Sequence, residues 1–173
     1  MSFKIGIITA SDRGSRGEYT YLSGEEVAKV MNEFFETPFT HIHKVIPDEQ
    51  PEIERGFIEL IDDEKCDLVI STGGTGPAPR DVTPEATAAI CDKMLPGFGE
   101  LMRQHSMSYV KTAILSRQSA GIRGKSLIIN MPGKPRSIRQ CMEAIAYAIP
   151  YAITLIGGPK VKMVGEYDYN PNK

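Results

Sequence analysis

The sequence predicts an α/β domain, a mainly parallel sheet with helices on both faces. Three observations carry this. Short apolar runs of the kind needed by strands buried on both sides recur along the chain. Stretches with apolar residues at helical spacing alternate with them, and polar loops follow four of the runs.

Taken in order, Phe3–Thr9 is the first strand. Ser23 with Glu26 three residues on reads as a capping box opening a helix whose stripe is Val27, Val30, Met31 and Phe34. A second strand is expected over Thr40–Ile46. A helix should start near Pro51, a favourable first position, with Ile53, Phe57, Leu60 and Ile61 on one face and Asp62-Asp63-Glu64-Lys65 as its solvated end. Cys66–Thr72 is a third buried strand. Thr83 should cap the next helix, with Pro84 at its first turn. Further helix is expected from Phe98 to about Val110, then a loop, then the strand Ser126–Asn130. Pro135 opens a last helix carrying Ile138, Met142, Ile145 and Ile149, which Pro150 should end or kink.

Composition narrows the function classes. The chain has 173 residues, 41% apolar and 24% charged, which suits one domain with one core and excludes wholesale disorder. We expect that domain to span residues 1–160, with 161–173 as a tail. Cys66, Cys91 and Cys141 lie far apart without a C-x-x-C pair, which argues for a reducing compartment and against a zinc ribbon. The longest apolar run, Ala144–Ile156, is interrupted by Pro150 and too short to span a bilayer, and Ile5–Ala10 is too short for a signal peptide. A cytoplasmic protein is therefore expected. Residues 1–86 carry a net charge of −9 and residues 87–173 a net +7, and Leu101–Met142 holds eight bases and no acid. That stretch is either a solvated face or a polyanion site. Nucleic acid fits it poorly, because there is no Trp, no aromatic interleaving and no overall positive charge.

Function should sit in the loops after the strands, since open parallel sheets bind ligands beyond the carboxyl ends of their strands. These loops are Ser11-Asp12-Arg13-Gly14, Pro47-Asp48-Glu49, Ser71-Thr72-Gly73-Gly74-Thr75-Gly76 and Asn130-Met131-Pro132-Gly133-Lys134. Three glycines within four residues let the backbone turn tightly and aim N–H groups at an anion. The spacing matches neither the Walker A loop nor the dinucleotide fingerprint. The continuation Pro77-Ala78-Pro79-Arg80-Asp81 stiffens the loop and leaves Asp81 just before a helix. Asp48 and Asp81 read either as helix caps or as carboxylates that hold magnesium opposite the basic stretch, as nucleotidyl transfer requires. His41 and His43 fit an edge strand better than a metal site. Cys91 and Cys141 read as small core residues, and Met94, Met102, Met107 and Met142 as gap-fillers in helical surroundings.

The run Ser71-Thr72-Gly73-Gly74-Thr75-Gly76-Pro77 followed by Arg80-Asp81-Val82-Thr83-Pro84-Glu85 resembles the signature of the molybdenum-cofactor Mog/MoaB family. Ile8-Thr9-Ala10-Ser11-Asp12-Arg13, Pro47-Asp48-Glu49, Pro96-Gly97-Phe98-Gly99-Glu100, Leu115-Ser116-Arg117 and Asn130-Met131-Pro132-Gly133-Lys134-Pro135 match in the same order. The resemblance implies a three-layer α/β/α sandwich, a homotrimer, and an enzyme that adenylylates molybdopterin with magnesium and ATP. It implies catalytic, metal-holding roles for Asp48 and Asp81. It also implies substrate contacts from Ser11, Asp12, Gly73, Gly74, Thr75, Gly76, Ser116, Arg117, Asn130, Pro132, Gly133 and Lys134. As a partner it implies the molybdate-inserting enzyme of the same pathway. The turn at Pro132–Pro135 resembles the adenylyltransferase branch. The alternative is a MoaB-like module that binds molybdopterin without efficient turnover. A nucleotide-recycling hydrolase with a related domain would need catalytic residues that a chain of this length has no second domain to supply.

Overall fold

The computed structural model describes residues 2–17 and 22–165. Strand β1 (Phe3–Ala10) leads through a short helix α1 (Asp12–Ser15) to α2 (Leu22–Phe34) and then to β2 (Phe39–Ile46). Helix α3 (Gln50–Ile58) runs into one π turn over Glu59–Asp63 before β3 (Leu68–Thr72). There follow α4 (Thr83–Ile90), β4 (Lys93–Met94), α5 (Pro96–Ser106) and a 3-10 segment over Lys111–Leu115. The chain then forms β5 (Ala120–Arg123), β6 (Ser126–Met131), α6 (Pro135–Ile145), a 3-10 turn over Ala146–Ala148, and α7 (Ile149–Leu155).

The sheet order is β2-β1-β3-β6-β5-β4. Strands β2, β1, β3 and β6 are parallel, whereas β5 and β4 run antiparallel at the far edge. Side chains of a strand alternate between its faces, and the two halves of the core follow that period. Ile5, Ile7, Leu68, Ile70, Leu127 and Ile129 pack with α2, α5, α6 and α7 on one face. Ile8, Val69 and Ile128 pack with Ile53, Phe57, Leu60, Ala86 and Ile90 of α3, its π turn and α4 on the other. Each fully buried aliphatic side chain here contributes roughly 1.5–3 kcal/mol. This is the expected three-layer sandwich.

Helix α2 links β1 to β2 across one face and α3 links β2 to β3 across the other. The connections therefore diverge between β1 and β3, whose ends pair as Thr9 with Thr72. That is the topological switch point, where such sheets open a crevice for ligands.

Several local expectations are corrected. Ser23 lies inside α2, not ahead of it, and its buried hydroxyl accepts a hydrogen bond from Thr72 Oγ1 at 3.2 Å. A hydroxyl removed from water needs such a partner, and here the sheet supplies one. Thr83 does not cap α4. Val82 holds that position, and the Thr83 hydroxyl donates to Gly73 O at 3.0 Å. Helix α5 starts at Pro96 and stops at Ser106. Met94 sits in β4, 40% exposed, and not in helical surroundings. Strands β4 and β5 were not anticipated, because runs of two and four residues carry too little alternation to register. The break near Pro150 is present, displaced to Ala146–Ala148, with Pro150 in the first turn of α7. His41 and His43 are exposed on the edge strand β2, and Cys141 is buried. Val161 packs into the α2-side core and Met163 bridges Phe35, while residues 166–173 lie outside the described residues.

Candidate active site

The Gly-rich turn at the end of β3 is the hub of the strand-end loops. Gly73 donates its N–H to Met131 O at 3.1 Å, tying the turn to the end of β6. Its φ is +92°, and a Cβ there would stand 2.4 Å from Ala10 O, so only glycine fits against the end of β1. Gly74 follows at φ +62°, and a Cβ there would lie 2.3 Å from Thr83 Oγ1. Thr83 closes the turn from α4, donating its N–H to Gly74 O at 3.1 Å as well as its hydroxyl to Gly73 O.

Neither aspartate caps a helix. Helix α3 has Glu49 at its cap position, without a side-chain bond. Asp48 instead pairs reciprocally with Asp12: Asp12 N donates to Asp48 Oδ2 at 2.9 Å, and Asp48 N donates to Asp12 Oδ1 at 3.0 Å. Asp81 Oδ2 accepts from Ala78 N at 2.9 Å, so that bond shapes its own loop. Among the described residues no hydrogen bond reaches Asp48 Oδ1 or Asp81 Oδ1. Asp48 Oδ1 lies 3.5 Å from the position a Gly74 Cβ would occupy, and Asp81 Oδ2 lies 2.6 Å from that of Gly76. Both carboxylates thus border the Gly-rich turn.

The electrostatics separate the acids. Burial raises the Asp48 carboxyl above its ordinary range, and the neighbouring Asp12 charge adds to this. Asp12 is shifted down, chiefly by hydrogen bonds from Arg80, whose Nε and Nη2 reach its two oxygens at 2.8 and 2.9 Å. Among the described residues there is no cluster of three or more His, Cys, Asp or Glu that could hold a metal by itself. Magnesium does not need one, because it is held by one or two carboxylates together with substrate phosphates and water. The free oxygens of Asp48 and Asp81 fit that mode.

The structure brings most of the anticipated residues to this hub. Arg117 N donates to Thr75 O at 2.7 Å, and Ser116 Oγ lies 3.5 Å from Thr75 Oγ1. Gly133 backs onto Gly73, where a Cβ would meet Gly73 Cα at 3.3 Å. Pro132 is half-buried beside it, and Lys134 is exposed at the cap position of α6. Ser11 is buried and accepts Gly14 N at 3.3 Å as the cap of α1. Two residues are placed otherwise than a ligand contact would suggest. Asn130 is wholly buried, donating to Ser71 Oγ at 2.9 Å and accepting from Ser119 Oγ at 2.6 Å, so it ties β6 to β3. The Arg117 guanidinium is engaged by Gly76 O, Asp81 O and the Glu85 carboxylate, clasping the Gly-rich loop to α4.

Arg80 and Thr83 were not singled out from the sequence as site residues. Both stand in the same stretch as Asp81, which is the signal that pointed towards them. Gly99 and Arg103 were missed too. A Cβ at Gly99 would lie 2.1 Å from Gln118 O, and Arg103 Nη1 donates to that oxygen at 2.8 Å, so α5 fixes the segment bearing Ser116 and Arg117.

The switch point of a mainly parallel sheet, bordered by a Gly-rich turn and two part-free carboxylates, defines an α/β domain with its candidate site at the strand ends. Residues 6–151 match the family described as "Probable molybdopterin binding domain". The chain belongs to that family. It is 58% identical to a Helicobacter pylori (strain 26695) protein named molybdopterin adenylyltransferase, over 89% of this chain and 88% of the relative. It is 44% identical to the protein of that name from Escherichia coli K12, over 95% and 91% of the two chains. The structure is similar to that of the molybdopterin biosynthesis enzyme MoaB of Thermus thermophilus, with a TM-score of 0.83, 40% identity and coverage of 91% and 99%. It is also similar to the Mog protein of Mycobacterium ulcerans, with a TM-score of 0.82, 32% identity and coverage of 90% and 100%.

Proposed function

We propose that this chain is a molybdopterin adenylyltransferase, using ATP and magnesium. A terminal phosphate oxygen of molybdopterin attacks the α-phosphorus of ATP. The new P–O bond joins pterin phosphate to adenylate, and the bond to the β-phosphate breaks to release pyrophosphate. The observation that carries this reading is the Gly73–Gly76 turn at the switch point, with Asp48 and Asp81 each keeping one oxygen free beside it. The adenylyltransferase names of relatives 44–58% identical over most of the chain support it.

The protein's part is alignment and charge compensation, with no covalent nucleophile required. Backbone N–H groups of Gly74, Thr75 and Gly76 cradle a phosphate, and Ser116 and Lys134 line the same crevice. Ser11, Asp12, Pro132 and Gly133 shape its rim. Asn130 and Arg117 hold the loops in place from behind. Asp48 and Asp81 hold magnesium, which when bound neutralises the triphosphate. Incubating the protein with molybdopterin, ATP and magnesium should yield adenylylated pterin and pyrophosphate. Tight pterin binding with neither product would instead make it a MoaB-like binding module.

We place the activity in residues 1–160, with 161–173 as a tail, and the reaction in the cytoplasm. Three free cysteines among the described residues and the use of ATP support that compartment. No helix among the described residues is long and apolar enough to cross a membrane. The molybdate-inserting enzyme is the natural recipient of the product. Assembly should be a homotrimer. A groove of about 380 Å³ lined by Leu95, Phe98, Ile122, Tyr147, Tyr151 and Leu155 is open in the single chain, and Leu155 is 66% exposed. Ile114 and Leu115, 65% and 55% exposed, offer a second apolar surface of the kind that marks an interface. Analytical ultracentrifugation at micromolar protein should show a species of about three times 19.1 kDa, and Leu155→Glu should dissociate it. A sole species at 19.1 kDa would refute the trimer.

A further inference from the structure

Arg80 stands one residue before Asp81, in the proline-stiffened loop, and its side chain is 55% exposed. It nevertheless reaches back 68 residues to Asp12 and 31 to Glu49. Its Nε donates to Asp12 Oδ2 at 2.8 Å, and its Nη2 donates to Asp12 Oδ1 and Glu49 Oε1, each at 2.9 Å. One guanidinium thus ties together the loops that follow β1, β2 and β3. Planar two-point recognition of a carboxylate is what an arginine fork does and a lysine cannot.

The carboxylate so gripped is the one that holds Asp48. Asp12 binds Asp48 at both ends, through its own N–H to Asp48 Oδ2 and through its Oδ1 from Asp48 N. Among the described residues Arg80 is the only side chain that donates a hydrogen bond to the Asp12 carboxylate. Without it, the Asp12 carboxylate would keep only the Asp48 N–H and the weaker pull of the Arg16 charge against the neighbouring Asp48 carboxylate, a looser hold on its position. An exposed ion pair adds little to overall stability, so the consequence of this one is positional.

We propose that Arg80 is a positioning residue for the adenylyl transfer, fixing the Asp12 carboxylate so that Asp48 keeps its free oxygen at the Gly-rich turn. Arg80 acts on Asp48 only through Asp12. The inference rests on the adenylyltransferase reading for its kinetic consequence, but not for its structural one.

The experiment therefore has two arms. In the ligand-free protein, Arg80→Ala should speed amide hydrogen exchange at Asp12 and Asp48 at least tenfold, leaving the β1 and β3 core amides unchanged. In turnover, Arg80→Ala should lower kcat about 10- to 100-fold with the KM for molybdopterin within twofold, and Arg80→Lys should recover little of the loss. Asp12→Ala should cost at least as much, and adding Arg80→Ala to it should cost nothing further, because the intermediary is already gone. Unchanged exchange at Asp48, additive losses in the double variant, or full activity in Arg80→Ala would each overturn the assignment. A wild-type protein that makes no adenylylated pterin would defeat the functional reading instead, while the exchange arm would still decide the strap.

Discussion

Asp81→Asn is expected to fold normally and to lose adenylylation by about two to three orders of magnitude. The local bond from Ala78 N to Asp81 Oδ2 can be accepted equally well by an amide oxygen, so the loop keeps its shape. What is lost is a negative charge at the rim of the Gly-rich turn. Removing one preorganised electrostatic contact of this kind typically costs about 2.7–4 kcal/mol of transition-state stabilisation. Asp48→Asn should lose activity to a similar extent, with a different signature in stability. Burial raises the folded-state pKa of Asp48 above its unfolded value, so ionising it in the folded protein is unfavourable. That destabilisation is absent below the unfolded pKa, grows as pH rises from there to the raised folded pKa, and is fully present above it. Asp48→Asn removes it and should leave the protein at least as stable as the parent near neutral pH. Steady-state assays with molybdopterin and ATP, paired with thermal unfolding at two pH values, check both halves. Near-normal turnover in both variants would mean that the chemistry has been assigned to the wrong residues.

Gly74→Val should abolish ligand binding as well as turnover. At φ +62° a β-branched residue is strained by about 1–3 kcal/mol, and its Cβ would be driven into Thr83 Oγ1 at 2.3 Å. Thr83 is the residue that closes the turn onto α4, so relief of the clash breaks the bonds to Gly73 O and Gly74 O. The expected result is a modest fall in melting temperature, because the sheet and both faces of the core lie below the turn, with binding lost altogether. Calorimetric titration with ATP and with molybdopterin measures this directly. A bound complex showing no phosphate or pterin in contact with Gly73–Gly76 would overturn the placement. Gly73→Ala is the harsher change for the fold, since its Cβ would meet the backbone oxygen of Ala10, which cannot swing aside.

Much of this architecture is legible in local sequence. Phe3–Ala10, Leu68–Thr72 and Ser126–Met131 are apolar on both faces because both faces are covered. Prolines at 51, 84 and 135 mark helix starts because their fixed φ suits a first turn whose N–H has no partner. The antiparallel edge was illegible for the opposite reason. Strands β4 and β5 are short, and they are strands only because β6 offers them an edge. Cap assignments failed at Ser23 and Thr83 because a hydroxyl near a helix start has two uses. Burial against the sheet and against the Gly-rich turn gave each of them a tertiary partner.

By itself, then, the sequence determined the order of the four parallel strands and of the main helices, the two-faced core, and the strand-end loops that carry glycine and aspartate. These follow from periodicity and backbone preference, which act over a few residues. Only the tertiary structure decided what each polar group does. It turned Asn130 inward as a tie between strands and committed the Arg117 guanidinium to the loop backbone and Glu85. It denied Asp48 and Asp81 any helix to cap and set Arg80 across 68 residues onto Asp12. The physical reason is that a charged or hydroxyl side chain takes whichever partner burial brings within about 3 Å, and long-range topology supplies those partners.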